Sequence, residues 1–436
     1  MHILLLKKYF YLLGVIFLFG CEGKHSVGKE ETSVKIPLKT IIEPKIYLEH
    51  SGSMYFYDGA KVDGQFKNTL VEIMQGFQEI EPKNSFVYLV NDSVYTYPQN
   101  LKDLITSKNI FANKIGNPAF TDFQIIFDTM LKDLKEDQIS ILFSDLIYSG
   151  KNSKGKAASK IMDEAEHLCR GVFSHYSKNT SVLILQLYSD YNGVYYPYNS
   201  PNKGKRYTGT RPYYVCLLAK NKTMEKFLND NLYAKIRNFE QLPNFKNKIF
   251  FTNGTLLSNP YYTILENDSD GKGQFNKGDR DLNKSGIHAI ENVEPPHRKT
   301  DKLTICIAIK FPKGAISESE ITNINNYQVD GFKDGFRLIR VEPNHRKSDG
   351  TTHKLVLEAS TVARGERDIL VKFKKTFPPK WVVNTHTNDD TNVNRNDSTF
   401  TNTTFGFSNM INGFNSAFST TNDSNFYFTL KLNLQD

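Results

Sequence analysis

The chain of 436 residues carries a formal net charge of +8, with 23% charged and 39% apolar residues. That length allows two or three domains with sizeable cores, and a positive charge so mild and dispersed excludes nucleic acid as the expected partner. Three of the cysteines, Cys169, Cys216 and Cys306, are odd in number and widely spaced, so they form neither a disulfide scaffold nor a metal-ligand pattern and read as buried thiols.

The N-terminus reads as a targeting segment. Lys7 and Lys8 precede an apolar run, Tyr9 to Gly20, too short to span a bilayer as a permanent helix. The run ends in "LFGC", with Cys21 after a small residue, which resembles the lipobox of bacterial lipoproteins; Phe19 is bulkier than the residue usual at its position. The resemblance implies a signal peptide over 1–20, lipid on Cys21 and a polar, flexible tether over 21–43. It places the protein on a membrane of the bacterial cell envelope, the outer membrane above all, facing the periplasm or the cell surface. Each buried CH₂ of an acyl chain contributes roughly 0.8 kcal/mol to that anchoring. No later apolar run is long enough for a transmembrane helix.

From 44 to 238, strand-like runs ("KIYLEH", "SFVYLVN", "ISILFSD", "SVLILQLYSD", "RPYYVCLLAK") alternate with amphipathic helical segments ("TLVEIMQGFQEI", "DFQIIFDTMLKDL", "KAASKIMDEAEHLCRGVFSHYSK"). Near-continuous apolar strands between such helices predict an α/β doubly wound, mostly parallel sheet covered on both faces. Sites in such sheets form at the carboxyl tips of the strands. Residues 239–300 read as an irregular linker region with two apolar islands, "KIFFTNGTLL" and "PYYTIL". Over 301–436, short strand-like runs separated by turns predict a mainly antiparallel, sandwich-like β domain. It carries a C-terminal helix with Phe407, Met410, Ile411, Phe414 and Phe418 on one face.

Three segments should meet at the rim of the α/β sheet. The first strand ends in "EHSGSM", a later loop reads "GNPAFTDF" before a helix, and the next buried strand ends in "LFSDL". Glu49, Ser51, Ser53, Thr121 and Asp145 would then converge, an all-oxygen set suited to Mg²⁺ or Mn²⁺. Taken singly, each has a structural alternative: the serines as helix caps, Asp145 as a turn residue, Thr121 and Asp122 as a helix start. Together, in this order, they resemble a von Willebrand factor A-type (VWA) domain with a metal-ion-dependent adhesion site, whose pattern is Asp-x-Ser-x-Ser, then Thr, then Asp. The resemblance covers roughly residues 44 to 237. It implies hydroxyl ligation by Ser51 and Ser53, Thr121 joining when ligand is engaged, Asp145 acting directly or through water, and an acidic group of a partner completing the shell. Glu49 departs from the pattern by one methylene.

The segment following the fifth long strand, "YNGVYYPYNSPNKGKRYTGTRPYY", is rich in Tyr and Arg, residue types favoured in binding surfaces. Tyr195, Tyr196, Tyr198, Arg206, Tyr207 and Arg211 are therefore candidates for selecting the partner; packing of these tyrosines on their own sheet is the alternative. "NDSDGKGQFNKGDRD" lacks the closing Glu of a calcium loop and reads as a solvated turn. No catalytic signature appears, neither G-x-S-x-G nor H-E-x-x-H nor a phosphate-cradling loop. The resulting expectation is a non-enzymatic, membrane-anchored protein that binds an acidic residue of a protein ligand through a divalent cation. A structural subunit of an envelope assembly with a vestigial metal site comes second, and a metal- or serine-dependent hydrolase third.

Overall fold

A computed structural model describes residues 41–435 apart from 81–85, 99–100, 149–154, 201–202, 255, 279–285, 295–301, 332–334, 346–349, 360, 362–364 and 420–425. Cys21, the signal segment and most of the tether lie outside the described residues. No helix among the described residues is long and apolar enough to cross a membrane.

The main sheet has seven strands: β1 (Glu43–Glu49), β2 (Phe86–Val90), β3 (Val94–Thr96), β4 (Gln138–Ser144), β5 (Thr180–Tyr195), β6 (Lys205–Lys220) and β7 (Phe245–Thr252). Their order is β3-β2-β1-β4-β6-β5-β7. β1 and β4 are buried almost throughout because both faces are covered. On one face, Ile46, Leu48, Ile141 and Phe143 pack with helices α1 (Gln65–Ile80) and α2 (Leu101–Thr106) and with others described below. On the other, Tyr47 and Leu142 pack with α3 (Phe123–Lys132) and α4 (Ala158–Ser174). Helix α5 (Asn221–Asn229) adds Met224 and Phe227 to the first face.

The sheet is mixed rather than mostly parallel. β1 runs parallel to β2 and β4, whereas β3 on β2, β6 on β4 and on β5, and β7 on β5 are antiparallel. The cause lies in the tyrosine-rich segment, which extends β5 and opens β6 instead of forming an insertion. These strands pair from Thr180↔Lys220 out to Tyr195↔Lys205, and so short a turn can join only antiparallel neighbours. β5 still points the same way as β1 and β4, so its second half projects beyond their carboxyl ends. β7 is the apolar island "KIFFT" from the stretch expected to be linker.

The rest of the chain builds two further sheets from β8 (Tyr262–Ile264), β9 (Gln274–Lys277), β10 (Ala289–Glu294), β11 (Leu303–Ile309), β12 (Tyr327–Asp330), β13 (Arg337–Pro343), β14 (His353–Ala359) and β15 (Arg367–Lys374). A short pair, β16 (His386–Thr387) and β17 (Thr404–Phe405), precedes the last strand, β18 (Phe426–Gln435). The sheets run β12-β15-β18-β10-β9 and β13-β14-β11-β8 and are antiparallel except for β10 on β18. Period-2 alternation turns Ile369, Val371 and Phe373 inward with Leu430 and Leu432, and Phe311 packs edge-on to Phe373 at 5.6 Å.

Four short or medium helices complete the chain: α6 (Glu318–Ile321), α7 (Lys380–Thr385), α8 (Ser398–Asn402) and α9 (Phe407–Phe418). All five predicted apolar residues of α9 are buried, and their partner is the main sheet. Phe414 lies 4.4 Å from Phe173 of α4 and 5.6 Å from Phe251 of β7, ring centre to ring centre. Gly413 sets the spacing, since a Cβ there would meet Glu166 O at 2.4 Å.

Candidate functional site

Parallel pairing carries the ends of β1, β2 and β4 to one rim, with Leu48 level with Phe143 and Glu49 level with Val90. Glu49, at the tip of β1, is buried. Its carboxyl accepts one hydrogen bond from Thr121 Oγ1 at 2.5 Å and a second, short one from Ser144 Oγ. Just beyond it, the Ser51 and Ser53 hydroxyls lie 3.1 Å apart. Ser53 stands before the single 3₁₀ turn Met54–Tyr57 but gives it no side-chain cap, and α1 begins only at Gln65. The serines are therefore not spent on helix capping.

The loop carrying Thr121 is fastened to the same rim. Gly52 N donates to Pro118 O at 2.9 Å, Asn91 Nδ2 to Ile115 O at 2.7 Å, and Asp122 N to Asn91 O at 2.8 Å. Gly116 has a φ of +60°, and a Cβ on it would sit 2.3 Å from Asn91 Oδ1, so glycine is required there. Asp122 is the cap of α3, accepting from Ile125 N at 3.1 Å, which leaves Thr121 for Glu49.

Asp145 closes the set. Its Oδ1 accepts from Ile147 N at 3.1 Å, as a turn residue would. Its Oδ2, however, is buried and makes no hydrogen bond of ordinary geometry among the described residues; the Ser53 hydroxyl stands close enough to favour its charged form, so the oxygen is under-satisfied, which costs free energy unless something else approaches it. The next residue, Leu146, is buried and has a φ of 51°. That left-handed backbone is unusual for a bulky side chain and gathers where structure is held for function.

Electrostatically, the rim is short of cations. Burial first, and the neighbouring Asp145 second, push the Glu49 carboxyl up to about 8, against the pull of the Ser144 and Thr121 hydrogen bonds. Burial also raises Asp145, opposed by Ser53, by the Ile147 amide and by the Arg211 guanidinium. Burial thus favours the neutral form of both carboxyl groups, and a positive charge brought beside them would favour the ionised form. His50, between Glu49 and Ser51, does not supply a positive charge: burial lowers its basicity, and its Nε2 has no partner among the described residues.

The predicted metal residues are therefore brought together. Glu49, Ser51, Ser53 and Thr121 line a cleft of about 330 Å³ together with Tyr196 and Tyr198; Asp145, outside that lining, lies within the electrostatic influence of Glu49. The donors, two carboxylates and three hydroxyls, suit a hard cation such as Mg²⁺ or Mn²⁺, and the under-satisfied Asp145 oxygen fits a missing charge. Among the described residues no group of three His, Cys, Asp or Glu side chains is placed to hold a metal ion, so a cation here would depend on the hydroxyls. Ser144 is a site residue that sequence reasoning missed, although it directly precedes Asp145.

The Tyr/Arg candidates divide. Tyr195, Tyr207 and Arg211 are buried and cannot meet a partner in this conformation. Tyr195 donates to Asp390 Oδ2 at 2.7 Å, and the Arg211 guanidinium lies 4.4 Å from the Phe400 ring centre and 4.8 Å from that of Tyr195. The inward set follows strand alternation, visible in the sequence as Tyr191, Gly193 and Tyr195. Tyr196 remains exposed at the cleft, Tyr198 stacks on Phe405 at 4.6 Å, and Arg206 lines a separate groove beside Tyr55 and Lys61. In the "NDSDGKG" turn, Asp268 and Asp270 are occupied by Lys354 at 3.2 and 2.5 Å. Cys169, Cys216 and Cys306 are buried and unpaired.

Comparison with protein families, with curated proteins and with solved structures finds no match.

Proposed function

We propose that the protein is a lipid-anchored, non-enzymatic binding protein whose α/β part is a variant VWA-type domain. The rim cleft would hold a divalent cation and present it to an acidic side chain of a protein ligand. The observation that carries this reading is the convergence of Glu49, Ser51, Ser53, Thr121 and Asp145 from three separate segments, with one carboxylate oxygen of Asp145 buried and under-satisfied. Ser51, Ser53 and Thr121 would supply neutral oxygens, and Asp145 and Glu49 the charge. A bound cation would supply a Lewis-acidic position for the partner's carboxylate. Tyr196 and Tyr198, which line the same cleft, would add contact area at low entropic cost.

The insertion of β6 between β4 and β5 distinguishes this sheet from a regularly wound one, so the likeness rests on the rim and not on the whole topology. One observation favours the second reading, a structural subunit with a vestigial site: Thr121 and Ser144 already satisfy both oxygens of Glu49, and a protonated Glu49 needs no metal.

The deciding experiment is titration of the chelator-treated protein with Mg²⁺, Mn²⁺ and Ca²⁺ by calorimetry and thermal unfolding, beside Ser51→Ala/Ser53→Ala. A ligand at a hundredfold excess over Kd adds about 2.7 kcal/mol to stability. Stabilisation of the wild type alone supports the metal-bridged reading. No response from either at millimolar cation moves the structural subunit to first place.

A further inference from the structure

Around the β5–β6 hairpin lies a second, larger depression of about 930 Å³, walled by those strands, the start of β7, helix α7 and the loop before α8. Its lining is unusual. Among the described residues that form it there is no aliphatic side chain, and the surface consists of amides, hydroxyls, a few charges and the aromatic rings of Tyr188, Tyr207 and Trp381. Apolar cofactors and hydrophobic peptides need aliphatic or aromatic walls that exclude water, and this cleft lacks the first. A nucleotide would need a glycine-rich cradle or several cations, whereas here Arg395 and Lys246 are balanced in part by Asp190.

The floor is built rather than fluid. Gln186 of β5 is 1% exposed, and both ends of its amide are committed: Nε2 donates to Thr385 Oγ1 of α7 at 2.9 Å, and Oε1 accepts from Asn247 Nδ2 of β7 at 2.7 Å. One buried side chain thus fixes three walls, and Tyr188 OH ties a fourth by donating to Asn402 O at 3.1 Å. Above that floor, the groups facing the opening are unspent. Asp190, Asn384 and Arg395 have no side-chain hydrogen bond to a described residue; behind them, Gln65 Oε1 is buried without a partner among the described residues. Trp381, half-buried against Phe407 at 5.7 Å, reaches the same opening.

We propose that this cleft is a carbohydrate-binding site, taking an oligosaccharide whose hydroxyls pair with Asp190, Asn384 and Arg395 and whose C–H face lies on Tyr188 and Trp381. Planar amides, a carboxylate and a guanidinium offer paired donors and acceptors that match vicinal hydroxyls, and an aromatic ring covers apolar area while tolerating a wet rim. An open, polar, preformed groove suits a hydroxyl-rich ligand that is itself well hydrated. The inference is independent of the rim metal site, with which this cleft shares no lining residue.

Trp381 is the sole tryptophan in the chain, so fluorescence excited at the red edge, beyond tyrosine absorption, reports on the surroundings of this one side chain. The test titrates the full chain, in a detergent without a sugar headgroup, with trisaccharides based on glucose, galactose, mannose and N-acetylglucosamine. At least one is expected to give a saturable fluorescence change with a Kd in the micromolar to millimolar range. Asp190→Ala and Asn384→Ala should each weaken it by about tenfold, as loss of a charged or paired hydrogen bond does, with unchanged melting temperatures. No saturable change with any of the four up to tens of millimolar, or a change that both variants leave intact, overturns the assignment.

Discussion

The buried carboxyl of Glu49 makes a quantitative prediction about pH. Its folded affinity for protons is raised, to about 8 from an ordinary 4.5, by burial and by Asp145. Between those values the folded protein holds a proton that the unfolded chain has released, so stability falls as pH rises. Below 4.5 both states are protonated and the loss is absent; above about 8 it is complete. At about 1.36 kcal/mol per pH unit, the gap sets a ceiling near 5 kcal/mol, comparable to the whole stability of many domains. Asp145 is raised by burial too and pushes in the same direction. Glu49→Gln keeps the shape and a carbonyl acceptor for Thr121 but removes the ionisation. In chelator-treated protein, urea unfolding at intervals from pH 5 to 8.5 should show a declining wild-type stability and a distinctly flatter Glu49→Gln profile, with the two curves crossing or converging at the acid end. A divalent cation that binds at the rim competes with the proton, so its stabilising effect should grow from pH 6 to 8 in the wild type. Parallel pH profiles for the two proteins would refute the reasoning, because they would mean that Glu49 is ionised throughout.

Three further outcomes follow from packing. Gly413→Ala should destabilise the protein by about 1–3 kcal/mol in denaturant unfolding, even though Ala is the better helix former by about 1 kcal/mol, because its Cβ would meet the Glu166 carbonyl and the Cys169 side chain. Phe414→Ala, which empties the contact among Phe127, Phe173 and Phe251, should cost about 3–5 kcal/mol in the same assay. Arg211→Ala should cost about 3–5 kcal/mol by leaving Asp145 and Asp390 without their shared cation. Arg211→Lys should not restore the loss, since an ammonium cannot stack flat between Tyr195 and Phe400; recovery in that variant would show that charge alone matters there.

Much of the site was legible because parallel strands leave a strong local signature. "KIYLEH" and "ISILFSD" have apolar centres, so their polar carboxyl ends stand out as rim residues; Glu49, Ser51, Ser53 and Thr121 line the rim cleft, and Asp145 lies within the electrostatic influence of Glu49. The sheet's mixed order was not legible. Nothing in "SVLILQLYSD" says that its neighbour in the sheet comes after it in the chain and folds back between it and β4, because pairing order is set by tertiary contacts and not by propensity. The inward tyrosines were partly legible from period-2 spacing, but their aromatic character reads equally as surface or core. The role of α9 was the reverse case. Its apolar face was plain in the sequence, yet the surface it covers belongs to distant elements, with Phe127 and Phe173 in the α/β part and Phe251 in the stretch expected to be linker.

That return of the chain bears on how the rim is held. Residues 386–405, an Asn- and Thr-rich stretch, run over the projecting end of the β5–β6 hairpin. Asp390 accepts from Tyr195 OH at 2.7 Å and from Tyr198 N at 3.0 Å. The Phe400 carbonyl accepts a short hydrogen bond from the Arg211 guanidinium, and the Phe400 ring also lies against Tyr207 at 5.0 Å. Arg211 is the cation that opposes the raised proton affinity of Asp145, so the last fifty residues position a charge that acts on the rim, and Tyr198, which lines the rim cleft, is pinned by Asp390. Cutting the chain before Trp381 would therefore remove α9 from the main sheet, release Arg211 and free Tyr198 in one step. The cleft at Glu49 is a property of the whole folded chain rather than of the α/β part alone.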